Sequence, residues 1–328
     1  MKKKILITGG GGFIGGHLAN FYNKKGFRVV CVDIKKKSSW FQVNNKIKNI
    51  VADCRDPIMC DKITKNVDYV FNLACDMGGM GFIESNKALC MLSSVININL
   101  LKSAKKNNIK KFFYSSSACV YPSYKQKKYK SPKLKESDVY PADPEDGYGW
   151  EKLFNERMCR HFYEDFGLEV RIARYHNVYG EYGSWKDGRE KAPAALARKF
   201  VESIHKKNNE IEIWGDGNQI RSFLYIDDCI NGTDLLFKSK FRDPINIGND
   251  KHVTINQLVS ILEKITGHKV KRQYDTTKPK GVNSRSSDNT LVKKILNWSP
   301  EISTEVGMKK LFNFVKGEYK KENKINGA

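Results

Sequence analysis

A glycine-rich turn near the N-terminus constrains the fold of this chain more than any other segment. Gly9, Gly12 and Gly15 directly follow the apolar run 5–8 and precede a stretch with helical periodicity. Glycine permits a tight turn and lets the backbone approach a pyrophosphate, which then lies at the positive N-terminus of the helix. The spacing G-x-x-G-x-x-G between a strand and a helix therefore predicts a dinucleotide-binding turn.

Short β-branched runs alternate with helix-period stretches along the first half of the chain. The runs cover 5–8, 28–33, 47–52, 69–74, 111–116 and 169–175. This alternation predicts an α/β fold with a doubly wound parallel sheet of the Rossmann type, covered by helices. Helical periodicity resumes in the second half at 227–237, 255–266, 290–296 and 304–319.

A chain of 328 residues is long enough for about two domains. We expect a dinucleotide-binding domain over residues 1–177, with returning segments near 213–250. A smaller mixed α/β domain, mainly residues 178–328, should bind the substrate and cover the carboxyl edge of the sheet. The two are expected to be interleaved, because no linker separates them.

Charge and composition restrict the partners. The chain has 58 Lys+Arg and 36 Asp+Glu, a formal net charge of +22, which would suit nucleic acid, an anionic membrane or a phosphorylated substrate. The lysines are scattered or form short runs, without the signature of a nucleic-acid module, so we predict no nucleic-acid partner. No segment is apolar for long enough to span a membrane.

Cysteine usage indicates a reducing compartment. The eight cysteines form no C-x-x-C pair and lie mostly in apolar segments. This pattern argues against a disulfide framework and against a zinc site, so we predict no metal. Reduced thiols indicate a cytoplasmic protein.

Tyr148 and Lys152 lie four residues apart in the segment Y-G-W-E-K, so that both leave one face of a helix. An ammonium near a phenol can lower the phenol pKa from about 10, leaving a base able to take a proton from a sugar hydroxyl. Alone, this spacing is more typical of a solvated helix face. Together with the glycine turn, the segment S-S-A-C at 116–119 and the segment 174–195, it predicts an enzyme.

Asp33 ends the second predicted strand, where a carboxylate can accept a hydrogen bond from a ribose hydroxyl and would repel a 2′-phosphate. This favours NAD over NADP, although the lysines at 35–37 could attract and so accommodate the 2′-phosphate of NADP. Asp53 follows the third predicted strand and could contact the adenine end or terminate the strand in a turn.

Over nearly its whole length the chain resembles the extended short-chain dehydrogenases/reductases that act on nucleotide sugars. The segments 71–82, 113–122, 174–177 and 188–195 more narrowly resemble the GDP-mannose 3,5-epimerases. The resemblance implies a homodimer that uses NAD and a GDP-sugar. It implies NAD contacts from Gly9, Gly12, Phe13, Ile14, Gly15, Asp33, Asp53, Tyr148 and Lys152, and GDP-sugar contacts from Gly78, Ser117, Asn177, Lys191, Arg221 and Arg285.

The chemistry of these residues agrees with the resemblance. Ser117 can hydrogen-bond the sugar hydroxyl at C4 while Tyr148 takes its proton and the hydride passes to NAD. The resulting ketone acidifies the protons at C3 and C5, so inversion there needs a base on one face and an acid on the other. Cys119 and Lys191 are the candidates, a thiol near cations and a partly desolvated amine. Cys119 could instead be a small buried hydrophobe, and Lys191 a phosphate contact.

Other activities of the same family remain as alternatives. Ala118 and Cys119 follow Ser117 where a 4,6-dehydratase is expected to carry Asp-Glu, which disfavours elimination of water. A C4 epimerase, a C4 oxidase that accumulates NADH and a non-enzymatic NAD-binding regulator rank lower. The basic loop 124–133 could admit another sugar, such as GDP-manno-heptose.

Five further side chains have two interpretations each. His176 could contact the sugar or be structural. Arg221 and Arg285 could clamp a diphosphate bidentately or form surface ion pairs. Tyr182 and Trp185 could stack on the base or sugar, or pack in the core.

Overall fold

The computed structural model describes residues 2–325, and the side chains of 2–323. Its strands are β1 (Lys4–Thr8), β2 (Arg28–Asp33), β3 (Ile47–Val51), β4 (Tyr69–Asn72), β5 (Lys111–Ser117), β6 (Val170–Tyr175), β7 (Val178–Tyr179), β8 (Glu210–Trp214), β9 (Ile220–Ser222), β10 (Leu224–Tyr225), β11 (Ile245–Ile247), β12 (His252–Thr254), β13 (Lys271–Asp275) and β14 (Ser284–Arg285). Its helices are α1 (Phe13–Lys24), α2 (Pro57–Thr64), α3 (Met80–Ser85), α4 (Lys87–Lys106), α5 (Asp146–Phe166), α6 (Ala192–His205), α7 (Ile226–Lys238), α8 (Ile255–Thr266), α9 (Thr290–Leu296) and α10 (Thr304–Ile325).

The main sheet has seven parallel strands in the order β11-β6-β5-β4-β1-β2-β3. The strand order reverses between β1 and β4, and open parallel sheets bind ligands at the carboxyl ends of the strands at such a switch point. The glycine turn follows β1, and Ser117 ends β5. The topology therefore brings the predicted cofactor turn and the predicted catalytic segment to one edge of the sheet.

Alternate residues of each strand enter two different cores. Ile5 and Ile7 pack with α1 and α7 on one face, while Leu6 packs with α2, α4 and α5 on the other. Phe112 and Phe113 divide in the same way. Both faces are buried because side chains alternate along a strand, and the strands accordingly read as continuous apolar runs. The predicted doubly wound Rossmann-type sheet is confirmed.

The second half of the chain forms small sheets that pair β7 with β10, β9 with β12 and β14, and β8 with β13. Helix α10 packs against α6 and α8. Within residues 2–325 no helix is both long and apolar enough to cross a membrane. Strand β11 joins the main sheet beside β6, in line with a returning segment, while the domain boundaries themselves stay a prediction.

A buried ion pair fixes α5 against the sheet. Arg174 of β6 donates from Nε and Nη2 to the two carboxylate oxygens of Glu156 at 2.9 and 2.7 Å, and the Ser116 hydroxyl donates to the same carboxylate. Both charged side chains are almost fully buried, at 4% and 3% exposure. Because α5 carries Tyr148 and β5 carries Ser117, this pair sets the position of one relative to the other.

We expect Glu156→Ala to lower the free energy of unfolding by about 3–5 kcal/mol, because it leaves the Arg174 guanidinium buried without a partner. Urea denaturation followed by circular dichroism measures the loss. Glu164→Ala, which removes the exposed partner of Arg160, is the matched control and should leave the midpoint nearly unchanged. Equal midpoints for the two variants would show that the buried pair does not hold α5 in place.

Candidate active site

A cavity of about 1340 Å³ follows the carboxyl ends of the central strands. It exceeds the roughly 300–1,000 Å³ of a typical small-molecule pocket, so it has room for a dinucleotide and a second ligand. Its walls come from the glycine turn, the segments after β4 and β5, Tyr148 of α5, residues 177–199, and the strands β8, β9 and β14. Both halves of the chain therefore contribute to one site.

The glycine turn is shaped to receive a phosphate. Gly9 has φ +71°, and a Cβ there would lie 2.8 Å from the backbone that follows β4. A Cβ at Gly15 would lie 2.1 Å from the Gly9 carbonyl oxygen, and one at Gly12 would lie 3.2 Å from it. No side chain caps the N-terminus of α1, where Phe13 and Ile14 line the cavity. The free N–H groups of this first turn can thus bind an anion.

The two acidic residues predicted for the cofactor differ in placement. Asp33 lies beside the glycine turn, where its carboxylate accepts from the Gly11 N–H at 3.1 Å and from the Lys35 N–H at 3.0 Å. Asp53 lines the rim of the cavity, but it forms a bidentate ion pair with Arg55, with the closest contact 2.7 Å. Arg55 lowers the pKa of Asp53. The geometry thus favours Asp33 as the ribose contact.

Tyr148 and Lys152 are buried beneath the cavity, with the Lys152 Nζ 5.4 Å from the centre of the Tyr148 ring. Burial raises the pKa of Tyr148 well above its ordinary value, and Cys75, Cys119 and Glu151 add to the effect. Burial disfavours the Lys152 ammonium, but Cys75 and Glu151 reverse this and raise the pKa of Lys152. The lowered phenol pKa expected from the sequence is therefore wrong for this arrangement, because desolvation outweighs an ammonium that Glu151 partly neutralises at 3.4 Å.

The first turn of α5 lies directly on Cys119. The Ser117 hydroxyl accepts from the Cys119 N–H at 3.2 Å, and the Cys119 carbonyl accepts from the Glu145 N–H at 2.9 Å. A Cβ at Gly149 would lie only 2.4 Å from that carbonyl oxygen. The sequence analysis missed Gly149, although a glycine inside a helix is unfavourable and is itself a signal of close packing.

Two arginines meet at the far end of the cavity, where Arg221 of β9 pairs in register with Arg285 of β14. Arg285 donates from Nε to Gln126 at 2.7 Å, and from Nη1 to Glu145 at 2.8 Å and to the Cys119 sulfur at 3.3 Å. Its Nη2 is buried without a hydrogen-bond partner in the described part of the chain. Burial and Arg285 lower the pKa of Arg221 to about 10. Adjacent cations with an unused donor have the chemistry to bind an anion such as a diphosphate.

Cys119 and Lys191 line the same cavity. Burial raises the pKa of the Cys119 thiol to about 11, with Glu145 adding to the effect and Arg285 opposing it. The cation expected near this thiol is present, but burial and Glu145 outweigh its lowering effect on the thiol pKa. Lys191 precedes α6, is half-buried and has no ion-pair or hydrogen-bond partner for its Nζ among residues 2–323. Burial lowers the pKa of Lys191.

Gly78 and Asn177 also line the cavity. A Cβ at Gly78 would lie 2.7 Å from the Phe82 side chain, so glycine allows the loop after β4 to approach residues 189–190. Asn177 has φ +42° and donates to the Ser222 carbonyl oxygen at 3.0 Å. Their backbones shape the wall that faces the arginines.

His176 does not reach the cavity. It is fully buried, its Nε2 lies 2.9 Å from the Asn246 Oδ1, and burial lowers its pKa to about 3. The structural interpretation of His176 therefore holds. In the described residues no group of three or more His, Cys, Asp and Glu side chains is placed to hold a metal.

Aromatic and acidic side chains complete the two ends of the cavity. Tyr182 stacks on Phe41 at 4.1 Å near the glycine turn. At the other end the Glu212 carboxylate accepts from Lys199 at 3.1 Å and from the Trp214 ring N–H at 3.0 Å. The sequence analysis missed Glu212, because a carboxylate in an exposed strand of alternating pattern carries no signal of a site.

A model of the NAD dependent epimerase/dehydratase family matches residues 5–248. This chain belongs to that family. It is 44% identical over 322 residues to GDP-mannose 3,5-epimerase 1 of Oryza sativa subsp. indica. That alignment covers 98% of this chain and 84% of the relative. GDP-mannose 3,5-epimerase of Arabidopsis thaliana is also 44% identical, over 320 residues, 97% of this chain and 84% of the relative.

Solved structures of the family share the fold. UDP-glucose 4-epimerase of Thermotoga maritima with UDP-glucose has a TM-score of 0.87 at 26% identity, over 96% of this chain and 99% of that one. UDP-glucuronic acid 4-epimerase of Bacillus cereus, in complex with UDP-glucuronic acid and NAD, has a TM-score of 0.83 at 26% identity. The match covers 96% of this chain and 100% of that one. NAD is the cofactor of this family and of this chain, and the glycine turn, the open first turn of α1 and Asp33 fit it.

We expect Arg285→Lys to weaken the binding of a nucleoside diphosphate by roughly 10- to 100-fold, because lysine cannot replace a guanidinium that holds several acceptors at once. Isothermal titration with GDP measures the affinity, and titration with NAD should show no change. Arg242→Lys, at an exposed arginine paired with Glu169, is the control. Unchanged GDP affinity in the Arg285 variant would remove that residue from the diphosphate site.

Proposed function

We propose that this protein is a GDP-mannose 3,5-epimerase, which oxidises the sugar transiently at C4, exchanges protons at C5 and C3, and returns the hydride. The observation that carries the proposal is that Tyr148, Ser117, Cys119 and Lys191 all line one cavity. We assign them to two separate proton-transfer pairs, Tyr148 with Ser117 and Cys119 with Lys191. A C4 epimerase or a C4 oxidase needs only the first pair. The 44% identity to GDP-mannose 3,5-epimerases over almost the whole chain supports the same conclusion.

The first pair acts at the C4 hydroxyl. Bound NAD supplies a reversible hydride acceptor. Ser117 orients the hydroxyl, and Tyr148 accepts its proton and later gives it back. The Lys152 ammonium near the Tyr148 ring opposes the desolvation that keeps the phenol protonated, and Glu151 holds that ammonium within the site.

The second pair acts on the carbon atoms beside the ketone. Each inversion removes a proton on one face of the sugar and adds a proton on the other. Burial raises the pKa of the Cys119 thiol to about 11 and lowers the pKa of Lys191. Burial therefore favours the thiol form of Cys119, which can donate a proton, and makes Lys191 a stronger acid and its neutral amine a more available base than a free lysine. The order of the acid and base roles stays open.

The proposal specifies guanine through the outer end of the cavity. The Glu212 carboxylate lines the same cavity as Arg221 and Arg285, and we assign it to the end that receives the base. A carboxylate can accept from the N1–H and the amino group of guanine together, whereas uracil offers no such pair of donors. The diphosphate would then lie against the two arginines, and the sugar between Cys119 and Lys191.

The homodimer is proposed through the outer face of α4 and α5, which pack side by side. Met91 and Val95 on α4 and Trp150 and Phe154 on α5 are apolar and 38–51% exposed. Each pair is spaced i, i+4 and so lies on one face of its helix. A contiguous exposed apolar surface of this kind is typical of an interface. The cytoplasmic location stays a prediction from the cysteine pattern.

The deciding experiment is proton NMR of GDP-mannose with the NAD-loaded protein in deuterated water, with absorbance read for NADH. We expect deuterium at C3 and C5, new gulose- or galactose-type signals and no net NADH. Cys119→Ala should lose the exchange but still oxidise C4, and Tyr148→Phe should do neither.

Other outcomes of that experiment distinguish the alternatives. Net NADH would identify a C4 oxidase, and inversion at C4 without exchange would identify a C4 epimerase. Turnover of GDP-manno-heptose but not of GDP-mannose would show that the substrate sugar is manno-heptose rather than mannose. Turnover of UDP-glucose at a comparable rate would contradict the guanine assignment.

We expect Trp150→Glu to convert the dimer to monomer, because it places a charge in the apolar face of α5. Sedimentation velocity measures the mass. Ile58→Glu, at an exposed residue of α2 outside this face, should leave the dimer intact. A wild-type protein that sediments as a monomer would end the homodimer proposal.

A further inference from the structure

Glu145 is a buried carboxylate beside the proposed acid/base thiol, and the mechanism above does not use it. It directly precedes α5, and its side chain is 10% exposed. Its Oε2 accepts from the Arg285 Nη1 at 2.8 Å, and the same nitrogen lies 3.3 Å from the Cys119 sulfur. Its own N–H donates to the Cys119 carbonyl oxygen at 2.9 Å. The carboxylate and the thiol therefore share one guanidinium donor.

Glu145 and Arg285 line different cavities, although their side chains are in contact. Cys119 and Arg285 line the main cavity, whereas Glu145 and Gln126 line a second cavity of about 580 Å³. Glu145 thus occupies the Nη1 of Arg285, while the Nη2 is buried without a hydrogen-bond partner among the described residues.

Charged and titratable groups surround both Glu145 and Cys119. Those around Glu145 are Arg221, Arg285, Glu84, Asp143, Asp146, Lys127 and Lys280. Those near Cys119 are Cys75, Tyr148 and Lys191. Burial favours the neutral acid, but Arg285 outweighs it and lowers the pKa of Glu145. Glu145 therefore carries a negative charge at neutral pH.

We infer that Glu145 is a positioning residue that fixes Arg285 against Cys119 and, by its own charge, keeps Cys119 protonated as a thiol. Arg285 favours the thiolate of Cys119, as cations beside reactive cysteines do, whereas burial and Glu145 both favour the thiol. A thiolate could not donate a proton to the sugar carbon. Glu145 offsets the charge of Arg285 at the sulfur and so adds to the effect of burial. The catalytic meaning of this role rests on the proposed function.

The test uses NAD-loaded protein and needs no sugar. The rate of alkylation of Cys119 by iodoacetamide is followed against pH, with peptide mass spectrometry to identify the modified residue. Glu145→Gln keeps the size of the side chain and an acceptor for Arg285 but removes the charge. We expect the midpoint of alkylation to fall by about one pH unit or more, which is a tenfold or larger rise in rate on the acidic limb.

Two further variants separate charge from shape. Glu145→Asp keeps the charge and should retain the wild-type midpoint, and Glu84→Gln removes a nearby half-buried carboxylate that does not bond Arg285 and should change little. An unchanged midpoint in the folded Gln variant, or an Asp variant that behaves like the Gln variant, would overturn the inference. If the midpoint shifts but wild-type protein exchanges no deuterium into GDP-mannose, the proposed function fails while the role of Glu145 at the thiol stands.

Discussion

The site depends on how closely the first turn of α5 rests on the segment after β5. The hydrogen bond from the Glu145 N–H to the Cys119 carbonyl oxygen and the missing side chain of Gly149 allow this approach. It brings the residues of α5, including Tyr148, against Ser117 and Cys119. The buried pair of Glu156 and Arg174 then holds α5 in that position. The position of Tyr148 relative to Ser117 and Cys119 thus follows from the packing of one helix on one strand end.

Burial and charge act together in the cavity. Desolvation alone favours the neutral forms of Tyr148, Cys119 and Lys191. Arg221 and Arg285 supply positive charge, and the Glu145 carboxylate occupies the Nη1 of Arg285. The Arg285 Nη2 donates to no partner in the described part of the chain. An anion bound there would satisfy a nitrogen that is otherwise buried without a partner, which is a favourable exchange in a dry site.

The features that could be predicted from the sequence are those that a local residue pattern determines. The strands of the first half and the helices 255–266 and 290–296 were predicted closely because each has a clear period. The residues after β1 and β5 were found because a parallel sheet brings strand ends together. The pKa directions of Tyr148 and Cys119 could not be predicted, because desolvation is set by elements distant in sequence. Strand β11 has three residues and no period, and Glu145 is marked only by contacts with Arg285, 140 positions away.

The division of the site between the two halves of the chain bears on how a new reaction arises in this fold. The glycine turn, Asp33, Tyr148 and Lys152 come from the first half, and we assign to them dinucleotide binding and proton transfer at one hydroxyl. Lys191 and Arg285 come from the second half and line the same cavity as Cys119, whose sulfur lies 3.3 Å from the Arg285 Nη1. Proton exchange at carbon needs a second pair on opposite faces of the sugar, and only a wall built by another part of the chain can supply the opposite face. Changes in that wall can therefore alter the reaction without disturbing the sheet that binds NAD.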